Sequence, residues 1–571
     1  LSKKKISKSV LKIAILGGSS TQHIKDLVDI FLLKENINAE IYEGQFNSYF
    51  EEIFFDVNGL NNFKPDVIWI HSTWRNIKNF PDVSSKKSEV EELIETEFNF
   101  YESLWKKAKE KFNCTIIQNN FDFPNYRVLA NKESIDFRGK INFLNILNDK
   151  FSGFDKENSW LNIFDINFLS MQEGLNTWQN ERDWYQYSYS PSINSNVNLC
   201  FKFSRLILSY LGLSKKCIVL DLDDTLWGGV IGDDGLKSIV LGQDTPMGKV
   251  FIDFQRYILE LKKRGILIAV ISKNEEKLAK LGFKHENSIL KLKDLSVLIA
   301  NWNSKYHNMK EVINKINIGE EAVVFIDNNP VERDEMETHS NVTVPSIGDD
   351  ITTFRRLIDE NNYFEFEDLT DEDLKRSENI RASIESKKKS LEFKSHYDYL
   401  LSLKMSSIID KVNDDTLNRT VQLINKTNQF NTTQEKLSIS SVAKAMKINK
   451  DIILTGSLID KFTNHGIVTI LYGEMMDDIQ IDIKVWVMSC RVFSRTLEYA
   501  MFEHFLNRCK KFRIKKITAI YSQTEKNNNY LDLYKNLGFK LKDQNKKDLF
   551  WELDLNNEIK LNKHAIKVNH E

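Results

Sequence analysis

The sequence has no apolar stretch long enough to cross a lipid bilayer, although 41% of its 571 residues are hydrophobic. It also has little excess of either charge, because 79 basic and 81 acidic residues leave a formal net charge of -2. A nearly neutral chain has no general attraction to nucleic acid or to an anionic membrane surface. We therefore expect a globular protein with neither kind of partner.

Cysteine is also scarce. The five cysteines are Cys114, Cys200, Cys217, Cys490 and Cys509, and they are widely spaced with no Cys-x-x-Cys pair. This pattern disfavours a disulfide framework and structural zinc, and it favours a reducing cytoplasm. Residues 1–6 contain a run of lysines that could be mistaken for the start of a signal peptide. We interpret them as a tail before the first strand, because the apolar stretch that follows is brief and interrupted by Lys12.

An acidic motif directly follows the apolar run 217–220. It places Asp221, Asp223 and Thr225 where a buried parallel strand would end, and ligands bind at the carboxyl ends of such strands. One carboxylate there can attack phosphorus and hold a metal ion, and the other can give a proton to the leaving oxygen. An acidic loop after a core strand is the alternative for the motif by itself.

Two further apolar runs end in polar residues. Run 265–271 leads into Ser272, Lys273 and Asn274, and run 323–326 leads into Asp327 and Asn328. Lys305 lies between the two runs in sequence and offers a cation. Taken singly, Ser272 and Lys305 would be a loop serine and a solvated lysine. Their positions among the other strand-end residues support the prediction of a phosphoryl-transfer site.

In this order the motifs resemble the haloacid dehalogenase superfamily of phosphohydrolases. The resemblance implies that Asp221 is the nucleophile and first Mg²⁺ ligand, and that Asp223 is the general acid/base and offers its backbone carbonyl to the metal. It further implies a phosphate-binding role for Ser272, a charge-neutralising role for Lys305 and a metal-binding role for Asp327. We add Thr225, Lys273 and Asn274 as substrate-binding residues and Asn328 as a metal ligand.

Longer strings narrow the resemblance to the FkbH-like family over residues 10–555. They are Thr225-Leu226-Trp227-Gly228-Gly229-Val230-Ile231-Gly232-Asp233-Asp234-Gly235, Ser272-Lys273-Asn274, Asn301-Trp302, Phe325-Ile326-Asp327, Asn329-Pro330-Val331-Glu332-Arg333 and Asn425-Lys426-Thr427-Asn428-Gln429-Phe430-Asn431. The chain departs from that family in two places. It has Asp224 where the family usually has Asn, and Asn328 where it usually has a second Asp, which puts metal affinity in doubt.

We predict an α/β chain with three domains. Residues 1–212 form an α/β domain resembling the SGNH-hydrolase fold, and residues 213–365 form a Rossmann-like haloacid dehalogenase domain without a large cap. A helical connector (366–406), a GNAT-like α+β acyltransferase domain (407–556) and a tail (557–571) follow. In the SGNH-like domain, Ser19 and Ser20 stand at the nucleophile position, but no Asp-x-x-His supplies a base, so docking or ligand holding is the favoured role.

In the third domain, a half-buried strand over 481–487 is followed by a helix with Leu497, Met501, Phe505 and Cys509 on one face. Ser494 is expected to cap that helix, and Arg491 and Arg495 would complete an anion site. The resemblance to GNAT proteins implies that this junction holds the pyrophosphate of coenzyme A, or a phosphopantetheine arm on a carrier protein.

The same junction places Cys490 where an acyl group would lie. Neighbouring arginines favour its thiolate form, and the alternative is a buried packing cysteine. His465 is either its assisting base or a structural histidine. We expect Cys114, Cys200, Cys217 and Cys509 to be packing residues.

The FkbH-like resemblance implies a phosphatase and acyl transferase. Such an enzyme would take a small phosphorylated metabolite, 1,3-bisphosphoglycerate, remove its phosphates with Mg²⁺, and load the glyceryl unit onto an acyl carrier protein. One alternative is a plain Mg²⁺-dependent phosphatase of a sugar phosphate with a C-terminal carrier- or CoA-binding module. Another is a non-catalytic scaffold in which both sites have decayed.

Overall fold

The computed structural model describes every residue except 1–9, 367, 368, 370, 382–394, 428, 449, 450, 462, 490, 491, 525, 526, 546, 558, 561, 570 and 571. The chain divides into two compact units. The first contains residues 10–207 together with Lys436–Lys444, and the second contains Leu208–Glu435 and the described residues from Ala445 onward. No helix in the described part of the chain is both long and apolar enough to span a bilayer.

The first unit is built on a parallel five-stranded sheet in the order β2-β1-β3-β4-β5. Strands β3 and β4 are buried along their whole length, which is why they read as continuous apolar runs. The strands are β1 (Leu11–Gly17), β2 (Ala39–Glu43), β3 (Val67–His71), β4 (Thr115–Asn119) and β5 (Leu161–Phe164). The helices are Gln22–Lys34, Tyr49–Phe55, Leu60–Phe63, Lys87–Phe112, Lys140–Glu157, Ile166–Glu173, Leu175–Trp178, Glu181–Tyr187 and Ile193–Tyr210.

The second unit begins with a parallel four-stranded sheet in the order β8-β7-β6-β9. Its strands are β6 (Cys217–Leu220), β7 (Leu267–Ser272), β8 (Val297–Ala300) and β9 (Val323–Ile326). The helices are Ile231–Asp234, Pro246–Lys263, Glu276–Gly282, Lys305–Ile316, Pro330–His339 and Ile351–Glu360. Between β6 and the next long helix, residues 221–245 contain one four-residue helix and no cap-sized insert, as predicted.

The second unit continues with an eight-stranded sheet in the order β15-β16-β14-β13-β12-β11-β10-β17. Its strands are β10 (Met405–Lys411), β11 (Ile452–Ile459), β12 (Asn464–Met475), β13 (Gln480–Met488), β14 (Lys516–Ser522), β15 (Lys540–Gln544), β16 (Asp548–Asp554) and β17 (Ile566–Asn569). Only the β13–β14 and β10–β17 pairs are parallel. The remaining helices of this unit are Asp371–Leu374, His396–Ser402, Asp414–Lys426, Leu497–Lys511 and Leu533–Asn536, and a further helix, Ile439–Met446, belongs to the first unit up to Lys444.

The predicted apolar faces are buried as expected. Leu497, Met501, Phe505 and Cys509 are all fully buried in the core of the eight-stranded sheet. Cys114, Cys200, Cys217 and Cys509 are buried free thiols, and burial raises the pKa of each one. These four cysteines therefore pack, as predicted.

Two segments differ from the predicted layout. Residues 436–444 group with the first unit although the sequence assigned them to the third domain, and Ser438 hydrogen-bonds the Asp66 carboxylate there. The expected tail 557–571 contains β17, which pairs with β10 and buries Ile566 opposite Met405. The boundaries at residues 212, 365, 406 and 556 stay predictions.

Replacing Ile566 by alanine is expected to lower the free energy of unfolding by about 2 kcal/mol, because it removes a side chain that is 94% buried in the core. Lys567→Ala, an exposed change on the same strand, is the control. Urea unfolding followed by tryptophan fluorescence measures both variants. Equal stability of the two variants would mean that β17 contributes no packing energy.

Candidate active site

Two buried carboxylates and one buried lysine meet at the carboxyl edge of the four-stranded sheet. Lys305 Nζ lies 2.9 Å from Asp221 Oδ1 and 2.6 Å from Asp327 Oδ2. Asp221 follows β6 and Asp327 follows β9, and these strands are neighbours in register, so the fold itself brings the two acids together. Lys305 is the first residue of its helix, which Ser304 caps by accepting a hydrogen bond from the His307 amide. The predicted association of Asp221, Lys305 and Asp327 is confirmed.

Burial has the largest single effect on the pKa of each of these three side chains. Burial raises the pKa of Asp221 to about 7, while Lys305 opposes the rise and Asp327 adds to it. Burial also raises the pKa of Asp327, again against the pull of Lys305. For Lys305, burial would lower the pKa, but the two carboxylates outweigh it and raise the pKa. A further cation beside these acids would favour their ionised forms.

Asp223 is held by three donors from two parts of the chain. Its Oδ1 accepts hydrogen bonds from Trp227 Nε1 at 2.9 Å and from the Ile231 amide at 3.1 Å. Its Oδ2 accepts one from Asn274 Nδ2 at 2.7 Å, and the same amide group donates to Ser272 Oγ at 3.0 Å. Asp223, Ser272 and Asn274 therefore form one hydrogen-bonded group, as their predicted shared site requires.

The remaining predicted residues of this site divide into two cases. Thr225 is fully buried, and its hydroxyl donates to Asn328 Oδ1 at 3.4 Å. Lys273 Nζ instead contacts Glu332 Oε1 at 2.5 Å, so its charge is already neutralised by that carboxylate. The partner of Lys273 in this structure is thus a glutamate 59 residues later, and its role in binding substrate stays a prediction.

The departure at residue 224 has a local explanation. Asp224 has a left-handed backbone (φ 51°), which aspartate and asparagine tolerate better than most residues. Its Oδ1 accepts a hydrogen bond from the Gly229 amide at 2.7 Å. An asparagine oxygen would accept the same bond, so the residue shapes the loop after Asp223 with either side chain.

The residues present fit a Mg²⁺ ion better than a closed transition-metal site. Within the described residues, no three histidine, cysteine or acidic side chains come close enough to hold a metal together. Asp221 and Asp327 are two hard oxygen donors with a single lysine charge between them. Mg²⁺ commonly takes one or two carboxylates and completes its shell with water. The predicted ligand roles of Asp223 and Asn328 stay untested.

The second predicted site contains a buried ion pair. Arg495 Nη1 pairs with Asp460 Oδ2, and His465 Nε2 lies 3.0 Å from the same oxygen and 2.9 Å from Arg495 Nη1. All three residues are buried. The charge of Arg495 is thus paired with Asp460 in this structure, and its role as an anion ligand stays a prediction. His465 belongs to this cluster, and its role as a base is untested because Cys490 and Arg491 lie outside the described residues.

The junction before the Leu497–Lys511 helix also differs from expectation. Ser494 does not cap this helix, because Thr496 stands at the N-cap and no side chain closes it. The Ser494 carbonyl instead lies 2.9 Å from His396 Nε2. The expected cap was placed two residues too early.

Another segment of the chain bonds to β13 and to β14 beyond the point where these two strands stop pairing. The two strands pair only over residues 480–483 and 516–519. Beyond that point the Thr432 amide donates to the Trp486 carbonyl at 3.1 Å, and the Met488 amide donates to the Phe430 carbonyl at 3.0 Å. The Ser522 amide donates to the Thr432 carbonyl at 2.7 Å. We call residues 430–433 the inserted segment, because it forms backbone hydrogen bonds to both strands where they no longer pair with each other.

The serines of the first unit do not face a base. Ser19 Oγ donates to the Ser190 carbonyl at 3.2 Å, and Ser20 Oγ donates to the Tyr187 carbonyl at 2.8 Å. His71 Nε2 also bonds the Ser190 carbonyl, so it carries the proton, and its Nδ1 accepts from Asn119. Burial lowers the pKa of His71 to about 4. Neither ring nitrogen is left to activate a serine, in agreement with a non-catalytic role.

Two residues that contact predicted site residues were not themselves predicted from the sequence: Trp227, which hydrogen-bonds Asp223, and Asp460, which pairs with Arg495. Trp227 was part of the quoted family string, and its spacing of four residues from Asp223 is the signal for their contact. Asp460 follows β11 directly, and a lone acid at a strand end carried no signal of its distant partner Arg495.

Comparisons with known proteins support the fold class. No protein-family model and no curated protein matches the chain. Among solved structures, the N-terminal part of the protein BF1531 from Bacteroides fragilis, containing a phosphatase domain and complexed with Mg, is 28% identical with a TM-score of 0.59. The match covers 63% of this chain and 95% of that one. The prediction of a mixed α/β chain with parallel sheets is confirmed.

Two acetyltransferase structures match a smaller part of the chain. The GNAT domain of S. lividans PAT is 12% identical with a TM-score of 0.22, covering 26% of this chain and 89% of that one. An acetyltransferase of the GNAT family from Streptococcus pneumoniae is 15% identical with a TM-score of 0.22, covering 26% and 97%.

Asp460→Asn is expected to lower the free energy of unfolding by about 3 kcal/mol, because it leaves the Arg495 guanidinium buried without its countercharge. The double variant Asp460→Leu with Arg495→Met removes both charges and should cost less than the single change. Urea unfolding of the three proteins checks the order. A double variant less stable than Asp460→Asn would show that packing, not charge pairing, dominates this site.

Proposed function

We propose that this chain is a Mg²⁺-dependent phosphatase coupled to acyl transfer, acting in the cytoplasm. It would remove phosphate from 1,3-bisphosphoglycerate and load the glyceryl unit onto an acyl carrier protein. The observation that carries the phosphatase half is the contact of Lys305 with both Asp221 and Asp327. The similarity to a structure that contains a phosphatase domain and Mg supports the same half.

The proposed phosphoryl step uses the residues at the sheet edge. Asp221 attacks the phosphorus, the bond to the substrate oxygen breaks, and Asp223 gives its proton to that oxygen. Water then attacks the aspartyl phosphate, returns a proton to Asp223 and releases inorganic phosphate. Lys305 balances charge on the transferring group, while Ser272, Asn274 and Thr225 orient its oxygens.

A bound Mg²⁺, held by Asp221, Asp327 and the backbone carbonyl of Asp223, would neutralise phosphoryl charge. Asn328 would contribute an uncharged oxygen at most. The pKa of Asp221, raised by burial, has to be overcome for nucleophilic attack, and Lys305 at 2.9 Å supplies part of that compensation.

The proposed acyl step uses Cys490. Its thiolate attacks the acyl carbon of 1,3-bisphosphoglycerate, the bond to the acyl-phosphate oxygen breaks, and inorganic phosphate leaves. The thioester that remains still carries the 3-phosphate, which the Asp221 site then hydrolyses. A phosphopantetheine thiol, supplied by the carrier protein or by CoA, attacks the thioester and frees Cys490. Arg491 would favour the thiolate, and His465 is the candidate base.

A second candidate is a plain Mg²⁺-dependent phosphatase of a small phosphomonoester such as a sugar phosphate, with a C-terminal carrier- or CoA-binding module. The observations that favour it are the engagement of Arg495 with Asp460 and the inserted segment between β13 and β14. Both reduce the number of groups available for acyl transfer, whereas the phosphatase cluster is assembled.

Gly282→Ala is expected to lower kcat on p-nitrophenyl phosphate about tenfold with little change in KM. A Cβ at Gly282 would lie 2.5 Å from Trp227 Cη2, so the indole has to move, and Trp227 positions Asp223. The control is Gly153→Ala, where a Cβ meets no atom within 4 Å. Steady-state kinetics that show the same kcat for both variants would remove Trp227 from the positioning of Asp223.

The two chemistries are separable by substitution. Asp221→Asn in the full chain, given 1,3-bisphosphoglycerate and Mg²⁺, should lose hydrolysis of the 3-phosphate yet keep a phosphoglyceryl adduct on Cys490. Intact-protein mass spectrometry, with and without a phosphopantetheinylated carrier, detects the adduct and its transfer. Chelation of Mg²⁺ should stop hydrolysis by the unmodified chain.

Cys490→Ser is the matched variant for the acyl half. It should keep phosphatase activity on small phosphomonoesters and lose the adduct. If the parent protein forms no adduct while Cys490→Ser is fully active as a phosphatase, the second candidate is favoured. Loss of both activities in Asp221→Asn would contradict the division of labour.

A further inference from the structure

A cavity of about 480 Å³ lies within the second unit, between the four-stranded sheet and the helix Asp414–Lys426. This volume is in the range of sites that hold small organic ligands. One side is lined by Lys216 and Leu267, which stand at the amino ends of β6 and β7. The other side is lined by Leu423 and Lys426 of the helix, and by Met488 and Ser489 after β13.

The cavity is separate from the Asp221 site. In the sheet register, Cys217 pairs with Leu267 and with Val323, so these positions mark the amino edge of three parallel strands. Asp221 and Asp327 lie at the opposite, carboxyl edge. Four residues of strand correspond to roughly 13 Å of separation. A ligand in the cavity is therefore out of reach of the Asp221 carboxylate.

The cavity lining contains charged side chains of both signs. Four cationic side chains line the cavity, and they are Lys216, Arg376, Arg419 and Lys426. Asp373 pairs with Arg376, and Glu320 and Glu321 line the cavity as well. A smaller cavity of about 60 Å³ shares Lys216, Asp373, Arg376 and Lys426, so these charged groups lie between two open spaces.

Lys426 lies among the other three cations of the cavity lining. Burial lowers the pKa of Lys426 to about 7, with further lowering by Lys216, Arg419 and Arg376 against the opposing effect of Asp373. Its stem packs on Gly212, where an added Cβ would lie 2.0 Å from Lys426 Cγ, so the side chain is held in place. Gathering like charges next to a cavity costs stability, and an anion between them would recover it.

Part of the lining is apolar. Leu267, Ile380, Leu423 and Met488 are all buried side chains on the cavity wall. Such a site would bind a molecule with an anionic head and an organic body. Arginine and lysine together suit a phosphate, since arginine offers paired donors and lysine a compact charge.

We propose that this cavity binds the phosphate of a small organic phosphate at Lys216, Arg376, Arg419 and Lys426, with its organic part against the apolar wall. The ligand is held there and not hydrolysed, because the nucleophile stands at the other edge of the sheet. This site does not depend on the acyl-transfer reaction proposed above.

The test uses pyridoxal 5′-phosphate on the full chain, with pyridoxal as the matched probe without phosphate. The neutral amine of a lysine attacks the aldehyde, water leaves, and borohydride reduces the resulting imine to a stable secondary amine. Peptide mass mapping then shows which lysines are modified. We expect Lys426 to be modified about tenfold more by pyridoxal 5′-phosphate than by pyridoxal, and inorganic phosphate to protect it.

Two variants sharpen the result. Arg419→Gln removes one cation of the site and should bring the ratio of the two probes at Lys426 close to one. Arg256→Gln removes an exposed arginine that pairs with Asp253 on another helix, and should leave the ratio unchanged. Equal modification of Lys426 by both probes, no protection by phosphate, or modification confined to Lys305 would each overturn the proposal.

Discussion

The candidate phosphatase site depends on one buried contact, in which Lys305 lies between Asp221 and Asp327. Two ionised carboxylates that both contact the same ammonium group would repel each other strongly where water is excluded. The positive charge of Lys305 offsets this repulsion. The strands place the acids, and the start of a helix places the lysine.

Asp223 lies in the loop after β6 and is held by hydrogen bonds instead of an ion pair with Lys305. Hydrogen bonds from Trp227, Ile231 and Asn274 hold its carboxylate in one orientation. The Trp227 indole and the Asn274 side-chain amide come from separate segments, so the position of Asp223 depends on how both segments pack. A carboxylate fixed in this way loses little orientation on substrate binding.

The sequence predicted the strand-end residues well because continuous apolar runs mark buried parallel strands, whose carboxyl ends share one edge. It missed β8, which is only four residues long and partly exposed at Leu298. The contact of Lys273 with Glu332 was not predicted, because Glu332 lies in a later helix and no local pattern links the two. The pairing of Arg495 with Asp460 likewise depends on how strands across the sheet bring distant residues together. Local periodicity reports burial, but it does not report which buried charge meets which.

The inserted segment has a consequence for the eight-stranded sheet. Where two strands diverge, their inner edges would present unpaired amides and carbonyls, which is the arrangement that invites pairing with other chains. Residues 430–433 satisfy those groups on both sides. Any extended molecule that enters between β13 and β14 must therefore exchange with existing backbone bonds instead of forming new ones. Because the net gain from such an exchange is small, backbone pairing by itself would give an entering molecule little affinity.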